Sequence, residues 1–532
     1  MSIIETIIIL LICVVALSVI AAKINVLFPV LLTIVGLLLG AIPSFPKIFL
    51  DPSIVMLVFL PPILYIAAFN TNWYEFKQNR KPIAILAFTM VFVTTLGIGF
   101  IAKTLLPGFT LATGFLLGAI ISPPDAVAAT AVFKKMVIPK KIISILEGES
   151  LVNDASALIA FQFALVAVTT GHFSLTDAAG KFIWVVFAGI FTGLTIAAIA
   201  VYVRKRWQMD PAIETGVTFI TAYAAYLAAE QLHCSAVLSV VAAGLYVGSK
   251  EQTFHKASTR LQATAVWNFV VILLEGVIFI LIGLQIPYII AGIKGEPLWH
   301  LMLEGFLIAL AAILIRFVFV FAIHFIADKL RVAMKLDPLF PSFKYSSVIA
   351  YSGMRGVVSL AAAFSIPLVM DNGMEFPHRN LILFIVFSVI VITLVAQGLT
   401  LPWFIKKINI DGGAPAEQPS SDILQLLAKA ALNRVEEIIH NENLESNAAG
   451  EIRDMYYTRV LEFNTIKSRD QLLEKQLSKR LMLEAVRAKR KKLFQLQYQR
   501  MIDQKLFKEL EHDLDLEETR LQKLKIIQIP KR

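Results

Sequence analysis

The 532-residue chain is 57% hydrophobic and 17% charged with a formal net charge of +10, and its mean hydropathy of +0.72 excludes an ordinary soluble domain. Lipid must solvate most of it. Up to Ile410 there are 27 Lys and Arg against 19 Asp and Glu, and beyond it 22 against 20, so the basic surplus sits in the apolar part and no nucleic-acid partner is expected, since that needs a basic face on a soluble module.

The first segment, 3–22, is nearly uncharged and matches a bilayer core of roughly 30 Å. It lacks a basic n-region and reads as a retained helix. Further apolar segments follow at 25–42, 53–70, 82–106, 111–133, 141–170, 179–203, 211–231, 234–249, 264–293, 301–326, 345–370 and 380–405, which predicts thirteen spans in an all-α membrane protein. The segment at 234–249 is the shortest and barely crosses the hydrocarbon. One set of alternate loops carries eighteen Lys and Arg, including Lys77, Arg80, Lys81, Lys140 and Lys141, and the opposite set carries five. The positive-inside rule then places the N-terminus outside and the C-terminus in the cytoplasm of an inner (plasma) membrane protein. Cys13 and Cys234 lie in apolar stretches and read as packing residues.

Span five contains Ile121-Ser-Pro-Pro-Asp125-Ala-Val127. Two prolines interrupt a helix, and freed backbone groups are tolerated in lipid only where protein or a water-filled cavity satisfies them. Prolines alone would read as a kink. Asp125 adds a charge costing about 2.5–3.5 kcal/mol at a helix centre, which makes function the default. Span six carries Gly148-Glu-Ser-Leu-Val-Asn-Asp154, with Ser150 and Asp154 on one face and Glu149 and Asn153 on another. Such oxygen ligands suit a hard cation. Ser and Asn alone could glue helices together, but two intramembrane carboxylates exceed that need.

Arg316 and Arg355 also fall inside spans, with Glu149, Asp125 and Glu275 as available partners. Either arginine could be purely structural, and Glu275 could simply bond a neighbouring helix. Span twelve is interrupted by Gly353, Gly356 and Pro367. If spans 1–6 and 8–13 are two repeats, breaks five and twelve are equivalent and span seven inverts the second half, the arrangement of secondary transporters with a midplane ion site. No phosphate-binding loop, Cys/His nucleophile pair or His-rich metal motif is present, so an enzyme and a resident cofactor are not expected.

These residues resemble signature segments of the monovalent cation:proton antiporter-1 family, the sodium/proton exchangers: Ser122-Pro-Pro-Asp-Ala-Val127, Gly148-Glu-Ser-Leu-Val-Asn-Asp154, Gly353-Met-Arg-Gly356 and Leu60-Pro-Pro-Ile63. The resemblance implies that Asp154 binds cation or proton, with Asn153, Asp125 and Ser150 at the site. It implies a structural Glu149–Arg355 ion pair and a homodimer with a dimer domain and a moving core domain. Pro124 stands where many members have Thr, and Tyr65-Ile66 where several carry an acid, so the preferred ion among sodium, lithium and potassium stays open. A proton and a cation neutralise the same carboxylate and exclude each other, and one exchangeable charge beside Asn153 points to electroneutral exchange. A gated cation channel, or an ion sensor signalling through its tail, is the alternative, since buried acids also line pores.

Residues 1–410 therefore read as a transmembrane exchanger domain and 411–532 as a helical cytoplasmic tail. After the linker 412–419, Ser421 or Asp422 could cap a helix starting at Ile423, with further helices near 449–476 and 479–510. The Arg487–Lys492 run could touch anionic lipid or form a solvated face, and Leu514-Asp-Leu-Glu-Glu518 resembles the end of the bacterial members' cytoplasmic region.

Overall fold

The computed structural model describes residues 3–24, 28–42, 45, 52–133, 136, 138–171, 175–207, 209–250, 257–293, 297–327, 329, 331, 334, 339–340, 342–370, 373–410, 421–442, 447–465, 469–499 and 504–523. Among them the chain is helical, with β-pairing limited to an isolated bridge between Val369 and Glu375. That is the form an apolar chain takes where its backbone cannot bond to solvent. Two compact units separate at Gly413 and Ala414.

The apolar unit runs α1 (Ile3–Ile24), α2 (Phe28–Gly40), α3 (Pro52–Asn70), α4 (Arg80–Leu105), α5 (Leu111–Ile121), α6 (Ala126–Phe133), α7 (Lys140–Thr170), α8 (Leu175–Arg206), α9 (Pro211–Gln231), α10 (Ala236–Lys250), α11 (Ala257–Gly292), α12 (Leu298–Ala322), α13 (Phe343–Tyr351), α14 (Val357–Phe364) and α15 (Arg379–Ile408). Among the described residues seven helices are long and apolar enough to cross a membrane, and α1, α2, α3, α5 and α10 hold shorter apolar stretches. Helix α11, at 36 residues, spans about 54 Å and starts earlier than the sequence pattern placed it. The short α10 is largely buried. Protein on its flanks, rather than lipid, meets much of its surface.

Close approach of backbones organises the packing. A Cβ on Gly283 of α11 would meet the carbonyl of Thr33, and one on Gly36 of α2 would meet the carbonyl of Ile280. Small residues are what allow such contact between membrane helices. Trp267 of α11 stacks on Phe219 at 3.9 Å and on Tyr65 at 5.6 Å, and its indole donates to Thr218 at 2.8 Å, tying α3, α9 and α11 together.

Among the described residues three π-helical turns, Ile85–Met90 in α4, Ile323–Ala327 after α12 and Thr393–Gln397 in α15, interrupt the regular ladder. Such turns concentrate at functional sites. The loop cations Lys47, Lys134, Lys135, Lys256, Lys294 and Lys335 lie outside the described residues.

The tail unit contains α16 (Ser421–Asn441), α17 (Asn447–Thr465), α18 (Arg469–Tyr498) and α19 (Gln504–Lys523). Its boundaries correct the sequence reading. Ser421 and Asp422 lie within α16 rather than before it, the third helix begins ten residues earlier than position 479, and a further helix extends past 510. The linker 412–419 lies outside the described residues. Ala428, Leu432 and Val460 form a small core between α16 and α17. The basic run of α18 is paired in part with the acids of α19, Lys489 with Glu517 at 2.9 Å and Arg490 with Asp515 and Glu518 at 2.7 Å. Long apolar spacing alone could not reveal this antiparallel charge pairing.

Candidate functional site

Two helix interruptions meet at the centre of the apolar unit. Helix α5 ends where the Ser122 amide donates to Gly118 at 2.9 Å, and Pro123 and Pro124 then offer no N–H to continue the ladder. The next amide, that of Asp125, donates instead to the carbonyl of Met354 at 2.6 Å, in the stretch between α13 and α14. The unwound segments are thus bonded to each other.

Three of the helix ends created by the breaks, those of α5, α6 and α13, find side-chain partners, as burial in an apolar medium favours. Arg355 Nε donates to the carbonyl of Ile121 at 3.1 Å, at the C-terminal end of α5, and the Arg355 amide donates to the Thr393 hydroxyl at 3.2 Å. Gln397 Nε2 donates to the carbonyl of Tyr351 at 3.0 Å, closing α13. Ser150 of α7 accepts the first amide of α6, from Ala126, at 3.3 Å. Thr393 and Gln397 bound the π-turn of α15, whose widened register serves both bonds. Neither residue stood out in the sequence, and the one available signal was a pair of polar side chains in an otherwise apolar span.

Helix α7 supplies the acidic side. Asn153 Nδ2 donates to the carbonyl of Pro124 at 3.1 Å, which fixes the amide orientation, while its buried Oδ1 has no hydrogen-bond partner. Asp154 is 8% exposed and its carboxylate takes part in no hydrogen bond among the described residues. It lies within electrostatic reach of Asp125, which also reaches Glu275 on α11. Gly356 makes room for Asp125, since a Cβ there would overlap the Asp125 carboxylate. Buried oxygens without donors are rare in folded proteins. Asn153 Oδ1 with the Asp154 and Asp125 carboxylates is an oxygen-rich cluster of the kind that suits a hard cation, and among the described residues no three His, Cys, Asp or Glu side chains gather as a metal site.

The arginine assignment is corrected. Glu149 pairs with Arg316 of α12 and not with Arg355: Nη1 to Oε1 is 2.5 Å and Nη2 to Oε2 is 2.9 Å, with both side chains 1% exposed. Arg316 also donates to the carbonyl of Ile349 on α13 at 3.3 and 3.0 Å. Gly353 lets it pass, because a Cβ there would run into the Arg316 side chain. Arg355 is turned toward the carbonyls of Ile121 and Gly353, and its Nη2 has no hydrogen-bond partner. The fork of Arg316 matches a carboxylate in two parallel bonds, and Arg355 neutralises the negative end of a half-helix instead. Ser156, one turn beyond Asn153, bonds to the carbonyl of Ala87 in the π-turn of α4, a tie that sequence reasoning missed.

A helical membrane bundle whose two interrupted helices are joined beside an unbonded buried carboxylate has the construction of a secondary ion transporter. Residues 7–407 match the family described as "Sodium/hydrogen exchanger, transmembrane". The chain belongs to that family. It is 30% identical over 493 residues to the sodium, potassium, lithium and rubidium/H(+) antiporter of Bacillus pumilus, covering 90% of this chain and 73% of that one. It is 32% identical over 411 residues to the low-affinity Na(+)/H(+) antiporter NhaS1 of Synechocystis, covering 77% and 74%. Its fold is similar to the sodium proton antiporter MjNhaP1 of Methanocaldococcus jannaschii, with a TM-score of 0.61 at 20% identity over 76% of this chain and 98% of that one.

Proposed function

We propose that this protein is a secondary active antiporter exchanging a monovalent cation, sodium first with lithium or potassium as alternatives, for a proton. The observation that carries this reading is Asp154: a carboxylate buried in the apolar unit with no hydrogen bond, beside Asn153 Oδ1 without a donor. A cation or a proton can satisfy it, and not both together. The relatives' names support cation and proton as the exchanged pair.

Within the site, Asp154 and Asp125 hold the cation, Asn153 Oδ1 and the Ser150 oxygen complete its ligation, and Glu275 adds a third acid near Asp125 along the ion's route. Glu149 is held by Arg316 and does not exchange charge, so one cation replaces one proton and the cycle is electroneutral. The remaining architecture is part of the same proposal: thirteen spans over residues 1–410 in two inverted six-helix repeats, broken at five and twelve; an outside N-terminus with a cytoplasmic tail; and a homodimer in the inner (plasma) membrane whose core domain moves against the dimer domain. The unequal loop charges support that orientation, and the two bonded breaks support the repeats.

Purified protein in sealed vesicles with an internal pH dye tests the exchange. With the potential clamped, adding sodium should move protons, and Asp154→Asn should abolish the movement while the protein stays folded. Exchange that survives Asp154→Asn would reject the site, and sodium flux that is conductive and moves no protons would favour a channel.

A further inference from the structure

Away from the ion site, the short helix Trp73–Gln78, the start of α4, the foot of α7, Arg331 and Leu339 border an open cavity of about 580 Å³. Five cations line it, Lys77, Arg80, Lys81, Lys141 and Arg331, and among the described residues no carboxylate does. The positive-inside rule accounts for basic residues on this face. It does not account for five from three distant stretches of chain converging on one hollow, where like charges repel and a bound anion is favoured. Lys77, Arg80 and Lys81 are exposed and engaged by no hydrogen bond or ion pair among the described residues.

The hollow is built rather than incidental. Asn72 caps the short helix through the amides of Tyr74 and Glu75, at 3.1 and 3.4 Å. The buried Asn79 side chain bonds the carbonyl of Glu75 at 3.0 Å and the Ser144 hydroxyl of α7 at 3.2 Å, which fastens the cavity to the helix bearing Asp154. Beside the cations, Trp73 stacks on Phe76, and Trp73 and Tyr74 stay exposed at 48% and 69%. Aromatic rings of this kind lie at the headgroup level of a bilayer. Arginine and lysine around a concave site are the chemistry of phosphate recognition.

We propose that this cavity binds a phosphate-bearing anion, either an acidic phospholipid headgroup or a soluble phosphate, at the foot of α7. The binding site is separate from the ion site and does not depend on the exchange reading. Full-length protein in neutral detergent is titrated with inorganic phosphate and, at matched ionic strength, with potassium chloride, and nanodiscs of phosphatidylcholine are compared with nanodiscs that also contain phosphatidylglycerol. The readout is the unfolding midpoint, which rises when a ligand binds the folded state.

A rise with phosphate and not with chloride assigns a soluble anion, and a rise only with phosphatidylglycerol assigns the headgroup. In the triple variant Lys77→Gln, Lys81→Gln, Lys141→Gln, apparent affinity should fall on the order of a hundredfold, at roughly fivefold per cation. The triple arginine substitution at the same positions should retain binding, which separates lost charge from lost folding. Lys205→Gln with Arg206→Gln, on another basic loop, should leave binding unchanged. No rise from either probe, a rise that chloride reproduces, or an equal loss in the Lys205/Arg206 control overturns the assignment.

Discussion

The amide of Asp125 donates to the carbonyl of Met354 at 2.6 Å, so the two interrupted helices are bonded at the residue that brings charge to their junction. Any movement of one break is felt by the other, and the backbone at Asp125 is fixed by that bond. The glycine facing it is part of the same device. Gly356→Ala would place a methyl where the carboxylate sits. Overpacking of this kind costs about 1–3 kcal/mol, and exchange in vesicles should fall at least about tenfold because the displaced Asp125 no longer faces Asp154. Unaltered exchange by this variant would show that Asp125 has slack.

Glu149 and Arg316 form a buried two-bond pair, and removing one partner strands the other. Glu149→Gln or Arg316→Leu should destabilise by about 3–5 kcal/mol, read as a large drop in unfolding midpoint and yield. Arg316→Lys should not rescue, since an ammonium cannot reproduce the fork or reach Ile349 as well. A double-mutant cycle should give strong coupling for Glu149 with Arg316 and weak coupling for Glu149 with Arg355, the reverse of what the family resemblance implies.

Asn153 puts a neutral oxygen, rather than another charge, beside Asp154. Asn153→Asp would add a further ionisable group next to Asp154 and exchange the Nδ2 bond to Pro124 for two facing acceptors, at a cost of about 1–3 kcal/mol. The surviving protein should exchange with a response to membrane potential that the parent lacks. A voltage-sensitive dye in the same vesicles checks this.

The proposed competition at Asp154 sets the sign of the pH dependence. Lowering the pH loads the carboxylate with protons, so the KM for sodium should rise, by up to about tenfold per pH unit once the proton form dominates, with the maximal rate largely unchanged. Titrating sodium across a pH series tests it. A KM that stays constant while the maximal rate falls would place proton binding elsewhere.

The sequence by itself determined the medium, the helical form, both interruptions and the polar residues of α7, Glu149, Ser150, Asn153 and Asp154, around which the site is proposed. Composition and local chemistry decide these: apolar length requires a bilayer, Pro123 and Pro124 beside a charged residue, like Gly353 and Gly356 flanking Arg355, mark a helix break, and a carboxylate in lipid needs a reason. It could not decide who partners whom. Arg316 and Arg355 are equal candidates for Glu149 along the chain, and only the packing of α12 against α13, with Gly353 opening the way, gives the pair to Arg316 and leaves Arg355 to the end of α5. The π-turn at Thr393–Gln397, the Ser150 cap on α6 and the basic hollow at the foot of α7 were likewise settled by tertiary structure, because each depends on distances between segments that sequence spacing does not encode.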